Sequence, residues 1–542
     1  MRTHTAYRKN LRMFKKRYYI MYIQKIKLHN YRRFRELEIS FKQGRNILVG
    51  DNESGKSSIL EAIDLAARGS RHRVEDIGIE TLFNVEVVRE FMAGDKQLVN
   101  LPHLYVELYL GGIVEEGLDG NENSDRTPAY GIRMCFEPDQ ALSRQTQQVL
   151  QTQNASFPFE FYTISFSTFS GEIYNGYTKK VKTIFLDNST IGNEYALNDF
   201  ISTIYGGALN QVEQLATKHS YGNIKAGFKN QVLVPFNNKL PEGYSFAVKN
   251  TGKNCLENDL TIELGGVPIS EKGTGLQCIL KTQLALKRAP DIPVIMLEEP
   301  ENHLSHLNMR RMLNDIESNN QAQLFISTHS DLISTRLDLR NCILMNSATP
   351  EQTISMDFID DGTAKFFMKA PDNNMLQFVL AKKVILVEGD AEFILMDTFC
   401  KKVLNHSLSE MGIDVISVDG KCFKRYLEIA KVLRMRVAVI TDNDGNYAEN
   451  ITAAYEGYMN NEFENIKVYA DDIDRRRTFE VAMYEDNQAD CNALFGSDRR
   501  TLTVQEYMLA NKAEAAYQLL SQKSDSLVTP QYIRNALEWV NA

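Results

Sequence analysis

Apolar and polar residues alternate over "YIQKIKL", 22–28, placing Ile23, Lys25 and Lys27 on one side of a strand against Gln24, Ile26 and Leu28. "RELEISF", 35–41, alternates again and turns Leu37, Ile39 and Phe41 inward. "NILVG", 46–50, is apolar without a break, the pattern of a strand covered on both faces. A Gly-rich loop then opens a helix in "GDNESGKSSILEAIDLAA". Between 100 and 250 the pattern thins. "LYVELYL" is a strand, "GIVEEGLDGNENSDRTPAYG" a polar loop, and "NDFISTIYGGALNQVEQLATKHS" has helical spacing with a Gly-Gly interruption. From 260 the order returns: "GTGLQCILKTQLALKRA" as a helix, "IPVIMLEEPENHL" as a buried strand with an acidic end, and "NNQAQLFISTHS" as a further strand. "APDNNMLQFVLAKK", 370–383, reads as a connector. A second alternation follows in "KVILVEGDAEFILMDTF", "IDVISVDG", "KRYLEIAKVLRM", "RVAVITDNDG" and "NIKVYA". Strands alternating with helices predict two α/β domains with parallel sheets.

Length agrees, since 542 residues exceed one ordinary core. Hydrophobic residues at 43% and charged residues at 24% describe a globular chain, and no apolar run is long enough to cross a bilayer. The first twenty residues carry seven Lys/Arg and no Asp/Glu, without the apolar core of a secretory signal. They read as a basic arm, as a translated stretch before a start at Met21, or as a disordered tail. Seven scattered cysteines make no Cys-x-x-Cys pair, which argues against a zinc ribbon and fits a reducing cytoplasm. A net charge of −9 confines any nucleic-acid binding to local basic patches. One is Arg475–Arg477, which reads either as a phosphate contact or as a solvated charge run.

"GDNESGKS", 50–57, matches G-x-x-x-x-G-K-[ST] between a buried strand and a helix. Gly50 and Gly55 let the backbone curl around phosphates. Lys56 adds a positive charge, Ser57 offers a hydroxyl to Mg²⁺, and Asn52 and Ser58 complete the loop. Two further apolar strands end on matching chemistry. One ends on Glu298 and Glu299, to hold Mg²⁺ and polarise a water; the other ends at His329, to sense the terminal phosphate. ATP with Mg²⁺ is the expected cofactor.

In the second alternation "VILVEGDAE" ends a strand on Glu388. A helix starting near Gly389 would put Glu392 one turn above it. "RVAVITDNDGN" ends another strand on Asp442 and Asp444, and Glu480 stands in "RRRTFEVAMY". An isolated Asp-x-Asp is good turn chemistry. In a parallel sheet, however, the C-terminal strand ends share one edge, where these acids would meet and need a cation between them.

These elements resemble known families. "SEKGTGLQ", 270–277, is loosely similar to the signature loop of ABC-type ATPases, with Thr274 and Gly275 implied to face a second subunit's nucleotide. "IQKIKLHNYRRFRELEISF" resembles the first strands of SMC and related DNA-repair heads. Strand-Glu-Gly followed later by strand-Asp-x-Asp-Gly resembles the Toprim domain. Together they are similar to the OLD (overcoming lysogenization defect) family of ATP-binding nucleases. The resemblance implies an α/β chain: a basic extension at 1–20, an ABC/SMC-like ATPase head over 21–375 with an inserted, partly helical dimerisation region near 150–245, and a Toprim domain over 376–542. It maps catalytic and metal roles onto Glu388, Glu392, Asp442, Asp444 and Glu480, with two Mg²⁺ or Mn²⁺ ions. It maps a family lysine onto Lys512, which otherwise reads as a solvated helix lysine. The family's "EEPExHLHP" stands here as "EEPENHLSH", with Ser305 and His306 in place of His-Pro. The implied activity is ATP-controlled, metal-dependent DNA cleavage or nicking by a cytoplasmic homodimer or larger oligomer. The implied setting is anti-phage defence, alone or with a helicase or a retron reverse transcriptase. The alternatives are an ATP-driven DNA clamp with a non-catalytic Toprim domain, or a primase- or topoisomerase-like enzyme. The glutamine-bearing loop of ABC heads finds no match.

Overall fold

The computed structural model describes residues 21–542 apart from 113–115, 153–154, 177, 189–193, 238, 242, 249–255, 289–291, 320, 371–373, 419, 421, 460–462 and 497–501. The basic extension at 1–20 lies outside the described residues. The chain divides into two compact units, one running to Leu337 with Asn341–Met356, the other comprising Asp338–Arg340 with Asp357–Ala542.

The first unit holds two large sheets. An antiparallel sheet runs in the order Phe34–Ser40, Tyr22–Tyr31, Leu104–Gly111, Ala129–Pro138, Asp119–Gly120, and Tyr162–Thr168 also pairs with Ala129–Pro138. Leu37, Ile39 and Phe41 face the core as their alternation predicts. Tyr22–Tyr31 departs from its pattern. A bulge between Ile23 and Lys25 resets the register, so Ile23 is buried together with Ile26 and Leu28. The second sheet runs Thr353–Ser355, Cys342–Met345, Arg45–Gly50, Gln323–Thr328, Val294–Glu298, Thr183–Asp187, parallel throughout except at the Thr353–Ser355 edge. Apart from the half-buried Arg45, its central strands are buried throughout, which explains the unbroken apolar runs.

The Gln323 side chain stitches the two sheets together. Its Oε1 accepts from the Ile23 N–H at 2.8 Å, and its Nε2 donates to the Ile23 and Lys42 carbonyls at 2.8 and 2.9 Å. In the region read as an insertion, Thr183–Asp187 pairs in register with Val294–Glu298 and so belongs to the parallel sheet. Helices occupy Glu194–Ala208 and Gln211–Gln231. The first runs through Gly206 and Gly207. The break comes at Asn210, whose side chain caps the second helix in a capping box with Glu213.

In the second unit four strands, all parallel, run in the order Ile413–Ser417, Lys383–Val387, Arg436–Ile440, Ile466–Tyr469. Helices Asp390–Leu404 and Gln531–Asn541 pack against this sheet and against each other, and Lys512–Lys523 packs on Asp390–Leu404, closing a core around Leu395, Phe399, Phe479, Ala516 and Leu537. The stretch read as a connector is not one. Its Met375–Leu380 segment is a helix that buries Met375, Leu376, Phe378 and Val379 inside this unit. Five apolar residues in six match a buried short helix better than a linker.

Candidate functional site

In the first unit, Arg45–Gly50, Gln323–Thr328 and Val294–Glu298 are neighbouring parallel strands, so the Gly-rich loop, His329 and Glu298 emerge at one edge. The loop is built by close backbone approach. A Cβ at Gly50 would lie 2.3 Å from the Met345 carbonyl oxygen. At Gly55 (φ 97°) a Cβ would meet the Phe34 ring at 2.4 Å. Gly55 caps helix Lys56–Arg68, aiming its N–H groups across the loop. Lys56 is buried and curls over the loop, donating to the carbonyls of Gly50 and Asp51, both at 2.9 Å, and to Ser54 Oγ at 3.4 Å. Burial lowers its ammonium below the usual lysine range, against the charges of Glu299 and Asp51. Asn52 and Ser57 are exposed and Ser58 is buried.

Glu298 is pushed up to about 7, first by burial and then by the charges of Asp187, Glu299 and Glu61, while a hydrogen bond from Ser57 pulls the other way. Glu299 sits at φ 43°, where a non-glycine residue is strained. The Asn302 amide donates to its Oε2 at 2.7 Å, and His329 Nε2 lies 3.5 Å from its Oε1. Burial and the Lys56 charge lower the His329 imidazole. Thr274, exposed, opens helix Thr274–Lys287 after Gly273, and a Cβ at Gly275 would lie 2.4 Å from the His303 carbonyl oxygen. Ser305 caps helix His306–Ser318 by accepting from the Asn308 N–H.

Sequence reading missed Asp187. It ends an apolar strand in "TIFLD", pairs in register with Glu298, and lines a cavity of about 480 Å³ with Ser57, Glu298, Arg32, Glu61 and Lys281. The signal was an apolar run ending on an acid, the same as in "VIMLEE", but it stood in the stretch read as inserted. The donor set fits Mg²⁺: a serine hydroxyl beside Glu298, whose carboxyl is raised by burial and by neighbouring negative charges, a repulsion that a hard cation relieves.

In the second unit the acids come from four separate elements. Glu388 follows strand Lys383–Val387, and Glu392 lies in the first turn of helix Asp390–Leu404, as the spacing predicts. Asp442 follows strand Arg436–Ile440, and Glu480 lies in the first turn of helix Phe479–Asp486. One Glu388 oxygen, Oε2, accepts from the Thr441 hydroxyl at 3.1 Å and from the Asp442 N–H at 3.3 Å. Asp442 Oδ1 accepts from the Phe479 N–H at 2.8 Å, which sets the helix bearing Glu480 beside it. Lys512 Nζ pairs with Glu480 Oε1 at 3.1 Å, and Glu480 Oε2 is buried without a hydrogen-bond partner. Asp444 is exposed at φ 50°, its N–H donating to the Arg477 carbonyl.

Burial pushes Glu392 up to about 8, with Asp442 and Glu480 adding to it against its own helix N–H and Lys512. Burial likewise pushes Asp442 to about 7, reinforced by Glu388 and Glu480. Lys512 is raised, because Glu480, Asp442 and Glu392 outweigh the lowering by burial. Among the described residues no three His, Cys, Asp or Glu side chains converge as a ready chelate. The acids are held singly, Glu388 by Thr441 and the Asp442 N–H, Asp442 by the Phe479 N–H and Glu480 by Lys512, while their charges act on one another. An all-oxygen donor set with an unsatisfied buried oxygen fits hard divalent cations, provided side chains rotate inward on binding.

Thr441 was also missed, since a threonine after a strand does not announce in sequence that it will hold Glu388. Two arginines of the "RRR" run are engaged internally. Arg476 pairs with Asp471 at 2.9 Å and Asp486 at 2.6 Å, and Arg475 with Glu485 at 2.7 Å; Arg477 is exposed.

Residues 379–444 match the family model of the overcoming lysogenization defect protein-like Toprim domain, and residues 21–220 match that of an AAA ATPase domain. The chain joins an AAA ATPase head to an OLD-like Toprim domain. A second AAA domain model matches residues 258–335, which hold Glu298, Glu299 and His329 of the head. DNA replication and repair protein RecF of Gloeothece citriformis is 41% identical over 54 residues, 10% of this chain and 14% of that protein. RecF of Bacillus thuringiensis is 39% identical over 56 residues, 10% of this chain and 15% of that protein. The match thus spans about one seventh of these relatives' length. Among solved structures, the C-terminal region of the Burkholderia pseudomallei OLD protein aligns at 21% identity and TM-score 0.22, covering 30% of this chain and 97% of that one. An Smc head bound to the winged-helix domain of ScpA aligns at 17% identity and TM-score 0.33, covering 62% and 98%. Among the described residues no helix is long and apolar enough to cross a membrane.

Proposed function

We propose that the chain is a divalent-metal-dependent DNA endonuclease or nickase whose Toprim site is controlled by ATP at the head. The observation that carries this reading is the gathering of Glu388, Glu392, Asp442, Glu480 and Lys512, drawn from distant parts of the chain, at one edge of the Toprim sheet. Mg²⁺ or Mn²⁺ bound there would supply an activated water and offset charge on the departing oxygen. Glu388, Glu392, Asp442, Asp444 and Glu480 would hold the metal. Thr441 and the Asp442 N–H hold Glu388 through one oxygen, Oε2, and its other oxygen would serve the metal. Lys512, ion-paired with Glu480, would neutralise charge on a phosphate oxygen beside it.

In the head, Lys56, Ser57, Glu298, Glu299 and His329 would bind and turn over ATP with Mg²⁺. Thr274 would face the nucleotide of a second copy, which makes the working form a homodimer or larger. Anti-phage defence in the cytoplasm, alone or beside a helicase or a retron reverse transcriptase, is the role this chemistry suits. The test incubates supercoiled and linear DNA with Mg²⁺ or Mn²⁺, with and without ATP. Cleavage is expected in the parent and not in Asp442→Ala. Cleavage that survives this substitution would remove the proposed centre, and binding without cleavage under any metal would favour the clamp.

A further inference from the structure

Glu301 belongs to neither set of expected site residues, yet it is tied to the histidine turn more directly than any of them. It is half-buried in the loop after Glu299, with Oε2 fully enclosed, and acids enclosed in this way mostly pair with a cation. Here the partners are neutral donors. Glu301 Oε1 accepts from the Thr328 hydroxyl at 2.6 Å and from the His329 backbone N–H at 2.8 Å. Thr328 Oγ1 in turn accepts from the Ser330 N–H at 2.9 Å. One carboxylate oxygen therefore organises three consecutive residues where strand Gln323–Thr328 gives way to the next helix. The second oxygen, Oε2, is buried without a hydrogen-bond partner. The other end of this loop is fixed too: His303, two residues on, rests its carbonyl against Gly275 at the start of helix Thr274–Lys287.

We propose that Glu301 is a positioning residue that holds the His329 turn in the conformation that meets the nucleotide. The assignment rests on the reading of the head as an ATP site. The side chain touches neither phosphate nor metal in this account. Its carboxylate fixes the His329 backbone, and the fixed backbone sets the imidazole 3.5 Å from Glu299. Because both hydrogen bonds end on an acceptor oxygen, a glutamine in its place retains them and a methionine does not.

The test measures amide hydrogen exchange in the peptide covering residues 325–332, with and without ATP and Mg²⁺, together with affinity for a fluorescent ATP analogue. The parent, Glu301→Gln, Glu301→Met and Lys56→Ala are compared, each as the full chain. ATP is expected to protect the peptide in the parent and, within about threefold, in Glu301→Gln. In Glu301→Met the protection should fall about tenfold, the size expected when one buried hydrogen bond to a charged group is lost, while affinity stays within threefold and melting remains cooperative. Protection in Glu301→Met equal to the parent overturns the assignment. So does an equal loss in Glu301→Gln and Glu301→Met. A parent whose ATP binding is absent or indifferent to Lys56→Ala overturns the nucleotide reading and this assignment together.

Discussion

The nucleotide loop and the acidic edge of the Toprim sheet are both sites at the C-terminal ends of parallel strands, but they are held together in opposite ways. The loop is one contiguous stretch whose shape comes from backbone packing at Gly50 and Gly55 and from Lys56 bonding back to its own carbonyls. The acidic edge is assembled from residues nearly 125 positions apart, Glu388 to Lys512, and its members oppose one another through burial and like charge. A site made of backbone stands ready before its ligand arrives. A site made of buried carboxylates stores unfavourable energy that only a cation or a proton relieves.

The largest effect that would sharpen this contrast is functional. Lys56→Ala should leave the head folded and weaken ATP binding about 10²-fold, as expected for losing a buried charge on phosphate; equilibrium binding of a fluorescent ATP analogue measures it. Next comes the frame that keeps the loop ready. Gln323→Leu strands the Ile23 and Lys42 groups it serves and should destabilise the head by about 2 kcal/mol, equally with and without Mg²⁺; denaturant unfolding reads this.

The acidic edge should behave in the reverse sense. Asp442→Asn removes one of the repelling charges, so in EDTA it should stabilise the Toprim unit by about 1 kcal/mol while cancelling the rise in melting temperature that Mg²⁺ gives the parent. A loss of stability in EDTA would break the comparison. The smallest effect concerns DNA. Arg477→Ala should weaken binding by about threefold and flatten the salt dependence by roughly one ion, because Arg477 is exposed, whereas the equally exposed Arg475 is ion-paired with Glu485 and Arg476 is partly buried. Arg476→Ala should instead unfold its ion-paired corner and weaken binding at all salt concentrations alike.

What could be read in the sequence follows the same division. Contiguous sites were legible: Gly50 to Ser57, the Glu298–Glu299 strand end and His329 stand where their patterns place them. The Toprim acids were legible as strand ends, since an apolar run stopping on a carboxylate is a strong local signal. Lys512 was reachable only through resemblance, because a lysine at a helix start carries no mark of the Glu480 it will meet. Asp187 was overlooked although it carries that same signal, because the surrounding 150–245 region breaks its pattern too often to show that a short strand there returns to the central sheet. The bulge after Ile23 and the buried helix Met375–Leu380 were misread because strict alternation and local polarity ignore what tertiary packing does with a single extra residue or with a masked apolar face.

The central claim is that remote acids share divalent cations at the Toprim edge. A crystal of the chain grown or soaked with Mn²⁺, phased at the manganese edge, tests it most directly. The account predicts anomalous peaks at that edge, with Glu388 and Asp442 on one ion and Glu480 turned from Lys512 towards another. Glu388 and Asp442 free of any ion at saturating Mn²⁺ would contradict it.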